Sequence, residues 1–209
     1  DEEEIPMTRS LLQKYRAISV REQSAVNLLK AMGIKSSLIL DPTLMLSADD
    51  WLAIAGKAKH DNPYLLIYQL NPNYEMDLYA QKLAEKKGWE ILRIGFGRSD
   101  AKKSGTCIMM PSVEDFLRLF FQASCILTDS FHATAFALNL GIDFISVMPP
   151  RFGTRIESVL KLTKTEHRLL SNFSDFSIVD SQIDKECIKD ILDDKRNQGM
   201  KWLAGALGI

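Results

Sequence analysis

Short apolar runs alternate with helix-patterned segments along nearly all of this 209-residue sequence, and few architectures accept that rhythm. The apolar runs lie at residues 16–20, 36–42, 64–70, 90–96, 106–111, 125–130 and 143–149. Between them fall segments with apolar residues at helical spacing, at 21–33, 48–56, 74–89, 112–124, 131–141 and 152–164. Gly33, Gly88 and Gly141 stand where such helices should stop, and Ser112-Val-Glu-Asp suits a helix start. The run at 64–70 is nearly continuous in large apolar side chains, the pattern of a strand covered on both faces. Alternation of this kind predicts an α/β fold, Rossmann-like and doubly wound around a largely parallel sheet. The strands near Ile18, Leu38, Leu66, Leu92, Leu127 and Ile145 are expected in one sheet, within a single domain spanning 1–209. Its core covers about 16–170, and a charged helical tail covers about 184–200.

Composition removes several function classes. Lys and Arg number 26 against 27 acidic residues, so a net charge of -1 provides no electrostatic reason to expect nucleic acid or an acidic membrane surface as partner. The cysteines, Cys107, Cys125 and Cys187, are odd in number and widely spaced, with no CxxC pair. They imply neither a zinc site nor a disulfide framework, and they point to a reducing, cytoplasmic compartment. No apolar run is long enough for a transmembrane segment. The opening DEEEIPMTRS is acidic, lacks a starting Met and does not resemble a signal peptide, so the chain reads as a segment of something longer.

In doubly wound sheets, ligands bind outside the carboxyl ends of the strands, so strand-to-helix junctions are the places to look for chemistry. At ISVREQS, Arg21 follows the strand directly, and its planar fork of donors suits carboxylate or phosphate. The plain alternative is a solvated arginine in a helix's first turn. At CILTDSFHATAFALNLG, a buried strand runs into a helix rich in small residues. The unpaired N–H groups at such a helix start, with the dipole behind them, attract anions. Either Asp129 or Ser130 can serve as N-cap, and His132 falls in the first turn. Of the three histidines, only His132 occupies a junction between two apolar segments. The plain alternative for it is a ring bonded to a neighbouring loop.

Taken in order, SVREQSAVNLL, ILDPTLML followed by Trp51, ILTDSFHATAFAL and FGTRIESVL resemble the characteristic segments of the polysaccharide pyruvyl transferase family, from about Ile18 to about Leu170. The Ser-Phe-His-small-Thr junction and the Ser-Val-Arg-Glu junction carry most of the resemblance. It implies one half of a two-domain, glycosyltransferase-B-like architecture with the donor in the cleft, the Gly-rich N-terminal half of the family being absent. It also implies transfer of a pyruvyl group from phosphoenolpyruvate to a sugar of a cell-surface polysaccharide or its lipid-linked precursor, as a ketal. By match of motif His132 would be the acid–base residue, with Arg21, Ser130 and Arg155 binding the donor. The loop PPRFGTRIES offers Arg151 as well as Arg155, and Ala133 stands where the family usually has Gly after the His.

The implied partners are phosphoenolpyruvate and a sugar or lipid-linked oligosaccharide. Neither a metal nor a cofactor beyond the donor is expected, and action at the inner membrane face is one option for the location. Two other classes fit the junctions: a sugar-nucleotide glycosyltransferase, and a non-catalytic glycan-binding domain in polysaccharide assembly. Against the first, no acidic residue is followed by a Gly-rich stretch of the kind that grips a nucleotide ribose.

Overall fold

A strand with apolar residues on both faces must be covered twice, and the segments that satisfy this condition form the main sheet. The computed structural model describes residues 4–151 and 153–209, so Phe152, at the start of the helix expected over 152–164, lies outside the described residues. In chain order the first elements are α1 (Ile5–Leu12), β1 (Ser19–Val20), α2 (Gln23–Ala31), β2 (Ser37–Leu38), α3 (Pro42–Met45) and α4 (Ala48–Leu52). Then come β3 (Tyr64–Tyr68), α5 (Tyr74–Lys87), β4 (Glu90–Gly95), β5 (Thr106–Met109), α6 (Val113–Phe121) and β6 (Cys125–Thr128). The chain closes with α7 (Phe131–Leu140), β7 (Phe144–Val147), α8 (Thr154–Leu162), β8 (Leu169–Leu170) and α9 (Lys185–Leu207).

These elements fall into two compact units, residues 46–190 and residues 1–45 with 191–209. In the first, six strands lie in the order β5-β4-β3-β6-β7-β8, and every neighbouring pair is parallel. This is the Rossmann order: the chain builds outward from β3 to β5, then crosses back and builds the other way from β6. Leu65, Ile67, Leu127, Ile145 and Val147 face α5, packing on Met76, Tyr79 and Leu83. From the opposite face the Tyr64 hydroxyl donates to the Leu119 carbonyl of α6 at 2.7 Å, and Ser146 meets Thr134 of α7 at 2.8 Å. Helices therefore cover both faces. The helix ends follow the expected chemistry: Asn73 and Ser112 cap α5 and α6, while Gly88 and Gly141 take the left-handed conformation at the far ends of α5 and α7.

The other unit corrects one expectation. The strands near Ile18 and Leu38 do not join the main sheet; β1 and β2 pair only with each other, in parallel, over two residues each. Each offers one apolar residue beside a serine, enough to cover one face, and Leu38 is exposed. They support a small separate core of Leu29, Met32 and Ile34, with Leu12, Ile18 and Val20 packed against it. In the same unit the Arg196 side chain of α9 donates to the Leu44 carbonyl at 2.8 Å.

Candidate functional site

The order of the strands selects a place before any side chain is considered. β3 and β6 are adjacent, yet the chain leaves them in opposite directions, so a crevice opens beyond their carboxyl ends. A cleft of about 440 Å³ lies there, in the size range of small-ligand sites. It is lined by Leu70 and Asn71 after β3, Asp129 to His132 after β6, and Pro149 to Arg151 after β7, with Arg155 and Ile156 of α8.

The β6 junction is built residue by residue. Thr128 ends a strand that is buried throughout, and its hydroxyl donates to the Tyr68 carbonyl at 2.6 Å while accepting the Ser130 N–H at 2.9 Å. Ser130 is the N-cap of α7, with extended backbone and a hydroxyl that accepts from the Ala133 N–H. Thr134, one turn on, donates to the Ser130 carbonyl at 3.0 Å. Asp129 is thereby released for another task. Its carboxylate accepts the Leu70 N–H at 2.7 Å, the Asn71 N–H at 2.9 Å and the Asn71 side-chain amide at 2.8 Å. It clamps the loop after β3 to the junction after β6, and three donors absorb a negative charge that would otherwise oppose an anion in the cleft.

The loop after β3 is held at its other end too. The Gln69 side-chain oxygen accepts from Arg93 at 2.9 Å and from Lys103 at 2.8 Å, and its amide donates to the Asn73 carbonyl at 3.2 Å. Arg93 is buried in β4 and also pairs with Asp77 at 2.7 Å. Both walls of the crevice are therefore fixed by charge-assisted bonds.

Of the residues expected from sequence, Ser130, His132 and Arg155 line this one cleft. Arg151 lines it as well, exposed on the loop after β7, whereas Arg155 is half-buried in the first turn of α8. The Arg155 guanidinium carbon stands 4.0 Å from the centre of the Phe131 ring, and the Phe131 and His132 rings meet edge to face at 5.3 Å. Arg21 belongs to the other unit. There it donates to Asp41 at 2.7 Å, with its own side chain 44% exposed and that of Asp41 only 2%. Burial pushes the Asp41 carboxyl up, but the Thr43 N–H and hydroxyl and the Arg21 guanidinium outweigh it and hold the group below the usual carboxylate value.

The sequence did not point to Leu70, Asn71, Phe131 or the clamping role of Asp129. The clamp joins residues 58 and 59 positions apart, which no local pattern encodes. The one local signal was Asn-Pro-Asn at 71–73, a loop marker immediately after a buried strand.

The Cys125 thiol, fully buried in β6, is pushed up to about 12 by that burial and is a packing residue rather than a nucleophile. Among the described residues there is no group of three or more His, Cys, Asp or Glu side chains that could hold a metal ion, and no helix long and apolar enough to cross a membrane.

With this geometry in place, comparison with known proteins narrows the reading. The family model for polysaccharide pyruvyl transferase matches residues 1–149. No curated protein matches the chain. Among solved structures, a Listeria monocytogenes protein assigned as a UDP-N-acetylglucosamine 2-epimerase superposes with a TM-score of 0.56 at 12% identity, over 92% of this chain and 60% of that one. The UDP-GlcNAc 2-epimerase of Neisseria meningitidis, solved with UDP-GlcNAc bound, gives 0.54 at 14% identity over the same shares. At such identities the likeness shows the fold alone: a parallel α/β sheet flanked by helices, of the kind found in glycosyltransferase-B-like epimerases. The chain spans 60% of the length of each.

Proposed function

The chain belongs to the polysaccharide pyruvyl transferase family, and on that premise we propose that the cleft between β3 and β6 is its donor site and that the donor is phosphoenolpyruvate. The observation that carries this reading is the meeting of Ser130, His132 and Arg155 on one crevice at the point where strand order reverses. Phosphoenolpyruvate presents a carboxylate and a phosphate, and the start of α7 with Arg155 and Arg151 offers donors for both.

The chemistry then balances without a further reactant. A sugar hydroxyl adds at the enol carbon while a proton goes to the methylene, which becomes the methyl group. The phosphate leaves with the C–O bond electrons, a second hydroxyl of the sugar takes its place, and the proton of that hydroxyl departs with phosphate. The products are a cyclic pyruvyl ketal and inorganic phosphate. His132 offers an imidazole, a side chain suited to give the first proton and to receive one from a hydroxyl. The acceptor is a sugar of a cell-surface polysaccharide or its lipid-linked precursor, met at the inner face of the membrane.

Holding the donor is a smaller task than turning it over. Charge-assisted bonds in an open, wet cleft contribute about 1.5–3 kcal/mol each. Turnover also needs the acceptor held in line and water kept out. The 209-residue chain is therefore proposed to bind phosphoenolpyruvate weakly and in a salt-sensitive way, without transferring it. The test is phosphate release from phosphoenolpyruvate by the full natural protein, supplied with a panel of free and lipid-linked sugars. His132→Ala should abolish it and leave the circular dichroism spectrum intact. Unchanged turnover in that variant removes His132 from the mechanism. Binding of UDP-GlcNAc with no response to phosphoenolpyruvate overturns the donor assignment.

A further inference from the structure

The charge of the cleft is unevenly divided. The arginines that line it, Arg151 and Arg155, both follow β7, whereas the wall that follows β3 is made by Leu70 and Asn71, with no charged side chain of its own. Asn71 is the polar group of this wall, and its orientation is determined. Its side-chain nitrogen donates to the Asp129 carboxylate at 2.8 Å, because the opposite orientation would set oxygen against oxygen. The nitrogen therefore belongs to the clamp, and the oxygen Oδ1 is an acceptor to which no described residue donates. The backbone around it is fixed as well. Asp129 holds the N–H groups of Leu70 and Asn71, the Gln69 amide bonds the Asn73 carbonyl, and Pro72 restricts Asn71 to extended conformations.

We infer that Asn71 accepts a hydrogen bond from a hydroxyl of the acceptor sugar, an assignment that rests on the donor site above and extends it. The cleft then takes the anionic donor along its β7 side and the neutral acceptor along its β3 side. The chemistry of the two substrates separates them. Phosphoenolpyruvate near neutral pH carries a carboxylate and a phosphate whose second proton is lost at about pH 6, so it has hydrogen-bond acceptors and almost nothing to donate. A lone acceptor oxygen therefore has no partner on the donor substrate, whereas every sugar hydroxyl is a donor. Leu70 adds the other property such a ligand needs. It is 52% exposed beside Asn71 on the same wall, an apolar surface for the C–H face of a sugar ring. Because Asp129 and the loop hold Asn71 in advance, little freedom is lost when the hydroxyl binds.

The experiment compares wild type with Asn71→Leu, which keeps the size of the side chain and lacks the acceptor. In the full natural protein the variant should raise KM for the sugar about tenfold, the loss of one uncharged hydrogen bond, and leave KM for phosphoenolpyruvate within about twofold. A merely loosened clamp would raise both together. Monodeoxy analogues of the same sugar locate the contact. One of them should lose about tenfold in kcat/KM with wild type and show no further loss with Asn71→Leu, the non-additivity of groups that touch. Independently of turnover, NMR of the 209-residue chain follows the Asn71 side-chain amide and the Leu70 methyl signals during titration with glucose, galactose, mannose and N-acetylglucosamine. At least one sugar should move both sets of signals, and Asn71→Leu should weaken its binding by a similar factor.

Equal rises in KM for sugar and phosphoenolpyruvate, or a deoxy series in which wild type and variant lose alike, overturn the inference while leaving the donor site standing. So does a sugar panel that leaves the Asn71 and Leu70 signals unmoved. If wild type neither binds nor turns over phosphoenolpyruvate, the donor reading fails, and the sugar titration alone then decides whether Asn71 holds a hydroxyl.

Discussion

Asp41 keeps its charge where almost no solvent reaches it, and that charge binds Arg21 to the loop before α3. Its folded pKa lies below the unfolded value, so it contributes stability that is present above about pH 4 and is lost as pH falls through the folded value. Acid unfolding followed by circular dichroism should therefore lose one steep component below about pH 4 in Asp41→Asn. A curve parallel to wild type would show that the pair contributes nothing. Arg21→Lys tests the geometry of this pair. An ammonium can still pair with Asp41 but cannot present a planar fork, so the variant should melt within about 0.5 kcal/mol of wild type. What could be read at this scale was residue type and junction: His132, Arg21 and Ser130 stood out because each follows a strand. The partners of Arg21 and Asp129 could not be read, being 20 and 58–59 positions away.

Among the elements, the clamp between the loops after β3 and β6 is the feature to test. Asp129→Ala removes the acceptor of three part-buried hydrogen bonds and leaves the N–H groups of exposed Leu70 and half-buried Asn71 to water, a cost of roughly 1–2 kcal/mol. Amide exchange at Leu70 and Asn71 should accelerate by orders of magnitude, while exchange in β3 itself stays slow. Uniform acceleration along β3 would mean that the clamp supports the sheet rather than the cleft. By contrast Ser130→Ala, loss of an ordinary cap, should cost about 1 kcal/mol. The elements that sequence alone revealed are those with local signatures: α5, α6 and α7 with their caps and stops, and β3, β6 and β7 with their short, mainly apolar runs. Those it did not reveal have little local signature. β8 is two residues long and exists by pairing with Ser146 and Val147, and α1 has no side-chain cap and buries no residue.

Across the larger unit, Arg168 closes the sheet at the β8 edge, and its side chain is wholly buried. It donates to the carbonyls of Phe144 and Ile178 at 2.7 Å and of Ser181 at 2.8 Å, tying β7 to the 177–181 segment. Arg168→Met matches its length but removes a donor from the Phe144 and Ser181 carbonyls, and should lower the unfolding free energy by roughly 2–4 kcal/mol in urea denaturation. A loss below about 1 kcal/mol would show that water replaces the guanidinium. This network illustrates the division between sequence and structure. Helical and strand periods, caps, stops and the polar junction at 128–132 depend on neighbours a few positions apart, and the sequence by itself determined them. It also determined the fold class, because alternating buried strands and amphipathic helices can cover each other in few ways. Tertiary structure decided the order β5-β4-β3-β6-β7-β8, the separation of β1 and β2 into their own sheet, and the cleft itself. These depend on which apolar faces find each other across tens of residues, where burial is shared by the whole sheet and no short segment carries the information.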